Sequence, residues 1–321
     1  MIARTLTLNK PRQRGAARPA LRFEGVTHRY GARVAVEELS FEVANGETVA
    51  LLGPNGAGKS TTISLLLGLL RPFRGVVEVL GTAPRKAVAQ GRVGAMLQTG
   101  SGSGLPPGVR VRATLELARR LYPRPAPFDV TVERAGIGAL LDRQTHRLSG
   151  GQVQSVRFAL AIAGDPELVF LDEPTAAMDV AGRRSFWHMI RQFGREGRTV
   201  LFATHHLHEA DQIADRVVVV NHGRVVADGP GAMLKAAVAA RQVRFVCDHP
   251  NRQVFDALEG VTDVEVHGKG VTLSSLDADA TVKALVGRRV AFSDLEVTGA
   301  GLEDAFVALT EDNGDAMHRS A

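Results

Sequence analysis

Residues Thr48 to Thr61 read TVALL-GPNGAGKS-T, an apolar run, then a glycine-rich turn, then a lysine and two hydroxyl side chains. Thr48 to Leu52 suits a strand covered on both faces. Gly53 to Ser60 fits G-x-x-x-x-G-K-S, and Ser60 to Leu70 reads as an apolar helix. Strand, loop and helix in that order are what a phosphate-binding loop needs. Its glycines let backbone N–H groups curl toward phosphate oxygens, and the helix N-terminus adds a favourable dipole. Lys59 is expected to neutralise β and γ phosphates, and Ser60 to offer its hydroxyl to Mg²⁺, a cation that prefers hard oxygen ligands. Gly53, Pro54, Asn55, Gly56, Ala57, Gly58, Lys59, Ser60 and Thr61 are the expected nucleotide-binding residues. A glycine-rich turn with a chance lysine is the bland alternative, and the flanking strand and helix argue against it.

Working outward, further apolar runs read as strands at Leu39 to Val43, Val76 to Leu80, Val93 to Leu97, Leu168 to Leu171, Val200 to Ala203 and Val217 to Val220. Helical segments lie between them, notably Ala113 to Leu121, Gly151 to Ala163 and Ala181 to Phe193. Such alternation predicts an α/β core. Asn221, His222 and Gly223 turn the chain into a hairpin with Arg224 to Ala227. After about Ala240 the composition shifts to short alternating segments, at Val243 to Val246, Val261 to Val266 and Val271 to Leu273, with a possible helix at Leu302 to Leu309. That part reads as a small α+β appendix.

The run Leu168 to Glu173 is an apolar strand ending in two acids. Strand alternation would aim them in different directions. Asp172 is expected to hold Mg²⁺ through water, and Glu173 to act as general base or to orient the attacking water in line with the γ-phosphate. Alone, the pair would be an ordinary strand exit; beside a phosphate loop it reads as catalytic.

The 321 residues carry 39 Lys and Arg against 34 Asp and Glu, a net charge of +5. Arg4, Lys10, Arg12, Arg14 and Arg18 supply that excess, so the body is balanced and a nucleic-acid groove is not indicated. Attraction of this basic segment to anionic lipid is a second possible role. The segment lacks the apolar core of a secretory leader. The longest apolar stretch, around Ile63 to Leu70, is about ten residues against the ~20 a membrane helix needs. Cys247 is the single cysteine, which excludes an internal disulfide or a cysteine-rich zinc site.

Leu148, Ser149, Gly150, Gly151 and Gln152 lie sixteen residues before Leu168, between the phosphate loop and the acidic strand end. Here the chain resembles the ATP-binding-cassette (ABC) superfamily, whose signature reads LSGGQ. A helix cap by Ser149 would explain the serine alone. The resemblance implies a P-loop NTPase nucleotide-binding domain with a helical subdomain at about 100–165. It also implies a head-to-tail homodimer in which ATP lies between the phosphate loop of one copy and Ser149 and Gly151 of the other. Tyr30, in His28-Arg29-Tyr30-Gly31, is similar to the aromatic that stacks on adenine, with packing at a hairpin as the alternative. Gln98 is similar to the glutamine that touches Mg²⁺ and water and links the site to a membrane partner; a polar strand end is its alternative. Asp179 resembles the aspartate that crosses the dimer interface. His205, after Thr204, resembles the switch histidine that bonds the γ-phosphate. A zinc reading of His205, His208 and Glu209 on one helical face is the rival, though the order is not H-E-x-x-H; His206 and His208 are expected to face solvent. Ser155 stands where many relatives carry arginine, with Arg157 two residues on, which puts a supporting ion pair in doubt.

From Ser60 to Leu148 is 88 residues, too short for the coiled coil inserted in DNA-repair relatives, and a single cassette is present. Both point to the transporter branch, with a separate multi-span permease approached near Gln98 and the loop Gly100 to Gly108. Gly301 to Thr310, with Leu302-Glu303-Asp304-Ala305-Phe306, resembles the closing helix of drug-exporter ATPases of the daunorubicin-resistance type. The implied function is an ATP-hydrolysing exporter subunit, cytoplasmic and peripheral on the membrane, with ATP and Mg²⁺ as its cofactors. The open alternatives are an import ATPase and a soluble regulatory or ribosome-associated cassette. The expected division is a basic flexible tail at 1–20, the ATPase domain at 21–238 and an accessory domain at 239–321.

Overall fold

The computed structural model describes residues 6–7, 18–98, 103–176, 178–237, 241–299, 302–303, 306–307 and 309–310. The chain forms two compact units, 1–230 and 231–321.

In the first unit the elements run β1 (Leu6–Thr7), β2 (Leu21–Tyr30), β3 (Arg33–Val43), β4 (Thr48–Leu52), α1 (Lys59–Leu66), β5 (Arg74–Val79), α2 (Pro84–Ala89), β6 (Val93–Met96) and α3 (Val111–Arg120). They continue through α4 (Phe128–Arg134), α5 (Gly150–Ile162), β7 (Leu168–Asp172), α6 (Val180–Arg195), β8 (Thr199–Ala203), α7 (Leu207–Ile213), β9 (Arg216–Asn221) and β10 (Arg224–Gly229). A seven-stranded sheet has the order β1-β10-β9-β4-β8-β7-β6, and β9, β4, β8, β7 and β6 are all parallel. β7 and β8 are buried along their whole length, as their continuous apolar runs require of strands with helices on both faces. A second sheet, β3-β2-β5, is antiparallel. The expected hairpin forms at β9–β10, with His222 and Gly223 both at positive φ (47° and 76°), the combination a two-residue turn needs.

Two local expectations change. β2 is absent from the strands read above, because Gly25 (φ 56°) breaks its alternation and the register with β3 slips between Phe23 and Val26. α1 stops at Leu66 rather than Leu70. Gly68 (φ 68°) turns the chain there, and a Cβ on it would sit 2.6 Å from Arg85 Cγ.

Arg92 and Glu167 tie the approach to β6 to the approach to β7 through two bonds, Nε to Oε1 at 2.6 Å and Nη2 to Oε2 at 3.1 Å. The Arg92 hydrogen bonds hold the Glu167 carboxyl below its ordinary range. A depressed carboxylate contributes stability above its unfolded value, and that contribution is lost as pH falls through the native one. Since Glu167 is half exposed, Glu167→Gln is expected to cost about 0.5–1 kcal/mol in urea unfolding at pH 7. The difference from wild type should close below about pH 4.

The second unit holds α8 (Gly231–Ala237), β11 (Arg241–Val246), α9 (Arg252–Asp256), β12 (Val261–His267), β13 (Gly270–Ser275), α10 (Ala278–Gly287) and β14 (Ser293–Thr298). Its contacts include α8, ahead of the compositional change near residue 240. Strand order β12-β13-β11-β14, all antiparallel, with β-α-β-β-α-β succession, is the split β-α-β arrangement. Val243, Phe245, Phe255, Val264, Leu273 and Leu285 form its core. α9, α10 and β14 had no counterpart in the sequence reading. The described residues within 302–310 are helical, as expected there.

Candidate active site

Buried β4, flanked in parallel by β8 and β9, delivers the chain into Gly53 and the loop that follows. Gly58 precedes α1 at φ 103°, a conformation that excludes other residues, and a Cβ there would lie 2.5 Å from the Ala35 carbonyl. Pro54, Asn55, Gly56 and Ser60 are exposed, while Ala57 and Thr61 are buried. Lys59 Nζ donates to the Gly53 and Pro54 carbonyls at 2.6 and 3.1 Å. Burial pushes the Lys59 ammonium below its ordinary value, and the charges of Glu173 and Asp172 oppose that shift.

Asp172 ends β7 and is buried. Burial raises its carboxyl, and the neighbouring Glu173 raises it further. A backbone hydrogen bond from Gln98 and the charges of Lys59 and Arg157 pull it down. Glu173 departs from the expected strand alternation. It has left the strand at φ 47°, with its N–H donating to the Ala203 carbonyl at 2.9 Å. The two acids therefore diverge because the backbone turns left-handed at Glu173. Strain of this kind costs on the order of 1–3 kcal/mol and persists where surrounding structure over-determines it. The turn brings Glu173 Oε2 to 2.8 Å from His205 Nδ1.

Zinc ligation by His205, His208 and Glu209 does not describe the geometry. His205 is engaged by Glu173, and His208 Nε2 by Gln212 at 2.9 Å. Glu209 is buried, accepting from Thr175 Oγ1 at 2.6 Å and Thr204 Oγ1 at 3.1 Å. His208 is exposed and His206 half-buried.

Ser149 caps α5. Its hydroxyl accepts from Gln152 N at 3.4 Å, and Gln152 Oε1 accepts from Ser149 N at 3.1 Å. This reciprocal cap fixes the loop while leaving Ser149 and Gly150 exposed, with Leu148, Gly151 and Gln152 half-buried. Asp179 caps α6, accepting from Gly182 N at 2.7 Å. Tyr30 ends β2 with its ring 53% exposed and edge-on to His28 at 5.0 Å, so it is not a packed hairpin tyrosine.

Lys59, Asp172, Glu173, His205 and the backbone of Gln98 thus gather at the C-terminal ends of parallel strands, where open α/β sheets bind ligands. Leu148 to Gln152, Asp179 and Tyr30 make no hydrogen bond to Lys59, Asp172 or Glu173 among the described residues. Residues 99–102, the first part of the loop expected to meet a permease, lie outside the described residues, as do Gly301, Asp304 and Ala305.

Gln154, which the motifs did not point to, and Arg157, noted above only beside Ser155, connect these parts. Gln154 Nε2 donates to the Ala176 carbonyl at 3.2 Å, and Arg157 donates to Gln154 Oε1 at 2.9 Å and to the Leu97 carbonyl. Ser155 Oγ bonds back to Gly151 within its own helix at 3.3 Å, so Arg157 is the basic residue of α5 that meets the site. The one available signal was Arg157, the single charged residue of the helix.

Residues 36–176 match the ABC transporter family. A Nod factor export ATP-binding protein I of Mesorhizobium japonicum is 33% identical over 303 residues, 92% of this chain and 88% of that protein. Daunorubicin resistance ATP-binding protein DrrA3 of Streptomyces coeruleorubidus is 33% identical over 308 residues, 92% of this chain and 96% of its own length. Among solved structures, cbiO1 from Clostridium perfringens, part of the ABC transporter complex cbiONQ, matches with a TM-score of 0.61 at 27% identity, over 68% of this chain and 91% of that one. With such relatives over almost its whole length, the chain belongs to the ABC transporter family and is an ATP-binding ATPase.

Proposed function

We propose that this chain hydrolyses ATP to drive export of a small lipophilic compound through a separate multi-span permease, working as a homodimer on the cytoplasmic face of the membrane. The observation that carries the chemistry is the Glu173–His205 contact beside Lys59 and Asp172 at the strand ends. Relatives named for Nod factor export and daunorubicin resistance support the direction of transport. No helix among the described residues is long and apolar enough to cross a membrane, which fits a cargo path in another chain.

In this reading the loop Gly53–Thr61 cradles the phosphates, with Lys59 neutralising the β and γ groups. Glu173 accepts a proton from water, or orients that water toward the γ-phosphorus, as the bond to the leaving oxygen breaks. His205 holds Glu173 in place and reaches the γ-phosphate. Tyr30 offers its exposed ring to adenine. Ser149, Gly150 and Gly151 meet the γ-phosphate bound by the second copy, and Asp179 faces the dimer interface. The residues present fit Mg²⁺: Ser60, Gln98 and Asp172 are oxygen donors, and burial beside Glu173 leaves Asp172 short of positive charge. When bound, the cation neutralises phosphate charge. The second unit is an accessory domain.

The direction is tested in cells that depend on this chain. Its deletion should raise accumulation of lipophilic dyes or drugs, wild type should reverse that, and Glu173→Gln should not. Unchanged accumulation across a panel of lipophilic compounds would contradict the proposed cargo class.

A further inference from the structure

Glu209 lies on α7 and is 2% exposed, yet it is a carboxylate with neither solvent nor phosphate to answer to. Burying a charge is costly unless it is paired and fully hydrogen-bonded. Its partners come from three other places in the chain. Thr175, two residues beyond Glu173, donates to Oε1 at 2.6 Å. Thr204, immediately before His205, donates to Oε2 at 3.1 Å. Arg183, on the helix capped by Asp179, brings Nε to 3.4 Å from Oε1 as an ion pair. Thr175 and Thr204 are themselves buried.

These contacts close a ring. From Glu173 the chain runs through Pro174 to Thr175, a hydrogen bond crosses to Glu209, a second crosses to Thr204, and the next residue is His205. His205 Nδ1 then returns to Glu173 at 2.8 Å. Thr204 Oγ1 also accepts the His206 N–H at 3.0 Å, so one hydroxyl grips the backbone on both sides of His205. The ring contains one rigid proline and one carboxylate that accepts from two elements at once. A glutamine carries no charge for Arg183 to pair with, and it can meet one of the two hydroxyls only by donating to it.

We propose that Glu209 is a positioning residue that sets the spacing of Glu173 and His205. The proposal rests on reading those two as the catalytic pair. Glu209 works through them by holding the turn after β7 and the end of β8 together, and its link to Arg183 extends the brace to α6.

The test is steady-state ATP hydrolysis by the full chain, comparing wild type, Glu209→Gln, His205→Ala and the double variant. Loss of the buried charge, with one hydrogen bond reversed and the Arg183 ion pair gone, predicts about a tenfold fall in kcat for Glu209→Gln, with KM for ATP within about twofold. In the His205→Ala background the same change should cost less than about twofold, because the pair it positions is already broken. A full tenfold further loss in the double variant, or a loss carried by KM, would overturn the proposal. Should Glu209→Gln fail to fold, Thr204→Val and Thr204→Ser carry the test. Valine should lower kcat about tenfold and serine, which keeps the hydroxyl, should restore it to within about twofold; equal activity in both would overturn the proposal. If His205→Ala and Glu173→Gln both turn over at the wild-type rate, the reading of the catalytic pair has failed instead.

Discussion

Glu173→Gln is expected to bind ATP as wild type does while turnover falls by about 10²–10⁴-fold, the range that removal of a general base produces. Glutamine keeps the shape and can still meet His205, but it cannot take a proton. Nucleotide affinity should survive because the proposed phosphate contacts, Gly53–Thr61 foremost, do not include Glu173. The Glu173 charge also raises the neighbouring Asp172 carboxyl, so its removal lets Asp172 ionise more readily. Phosphate release measures the first quantity and calorimetric titration with ATP the second. Hydrolysis at the wild-type rate would remove Glu173 from the chemistry.

Lys59→Ala is expected to act at the earlier step. The ammonium lies among the Gly53 and Pro54 carbonyls and faces the charges of Asp172 and Glu173. A charge-assisted bond contributes about 1.5–3 kcal/mol, so losing it should weaken ATP binding by roughly 10–150-fold. Folding should be little affected. Burial already lowers the Lys59 ammonium below its ordinary value, so the charged form is not what stabilises the loop. Calorimetric titration and urea unfolding of the same preparation separate the two effects. Intact affinity would count against the phosphate-loop reading.

The parts of this site legible in sequence are those whose chemistry is local. Gly53 to Ser60 follows an apolar strand and Asp172 and Glu173 stand at the end of another, and a strand's burial and its exit residue are written in adjacent positions. The α/β core was readable for the same reason, since β4, β7, β8 and β9 are continuous apolar runs. β2 was not, because a glycine bulge spoils its period. β14 was not, because all of it but Thr298 is exposed and no buried face marks it.

The braces were illegible for a different reason. Glu209 finds Thr175 across 34 residues and Arg157 finds Leu97 across 60. Nothing in the local pattern of either residue announces its partner. The left-handed turn at Glu173 belongs to the same class. The sequence shows two adjacent acids, and neither announces the positive φ of Glu173 or its N–H bond to the Ala203 carbonyl. Motifs named the groups proposed for the chemistry, and tertiary contacts supplied what holds them in register.

Whether ATP hydrolysis here powers a separate membrane chain is decided by what accompanies the protein. Tagged Glu173→Gln would be recovered from detergent-solubilised membranes with ATP and Mg²⁺, and its partners identified and counted. A multi-span membrane protein in fixed stoichiometry with two copies of this chain is the expected result. Recovery only from the soluble fraction, with ribosomes or nucleic acid, would contradict it.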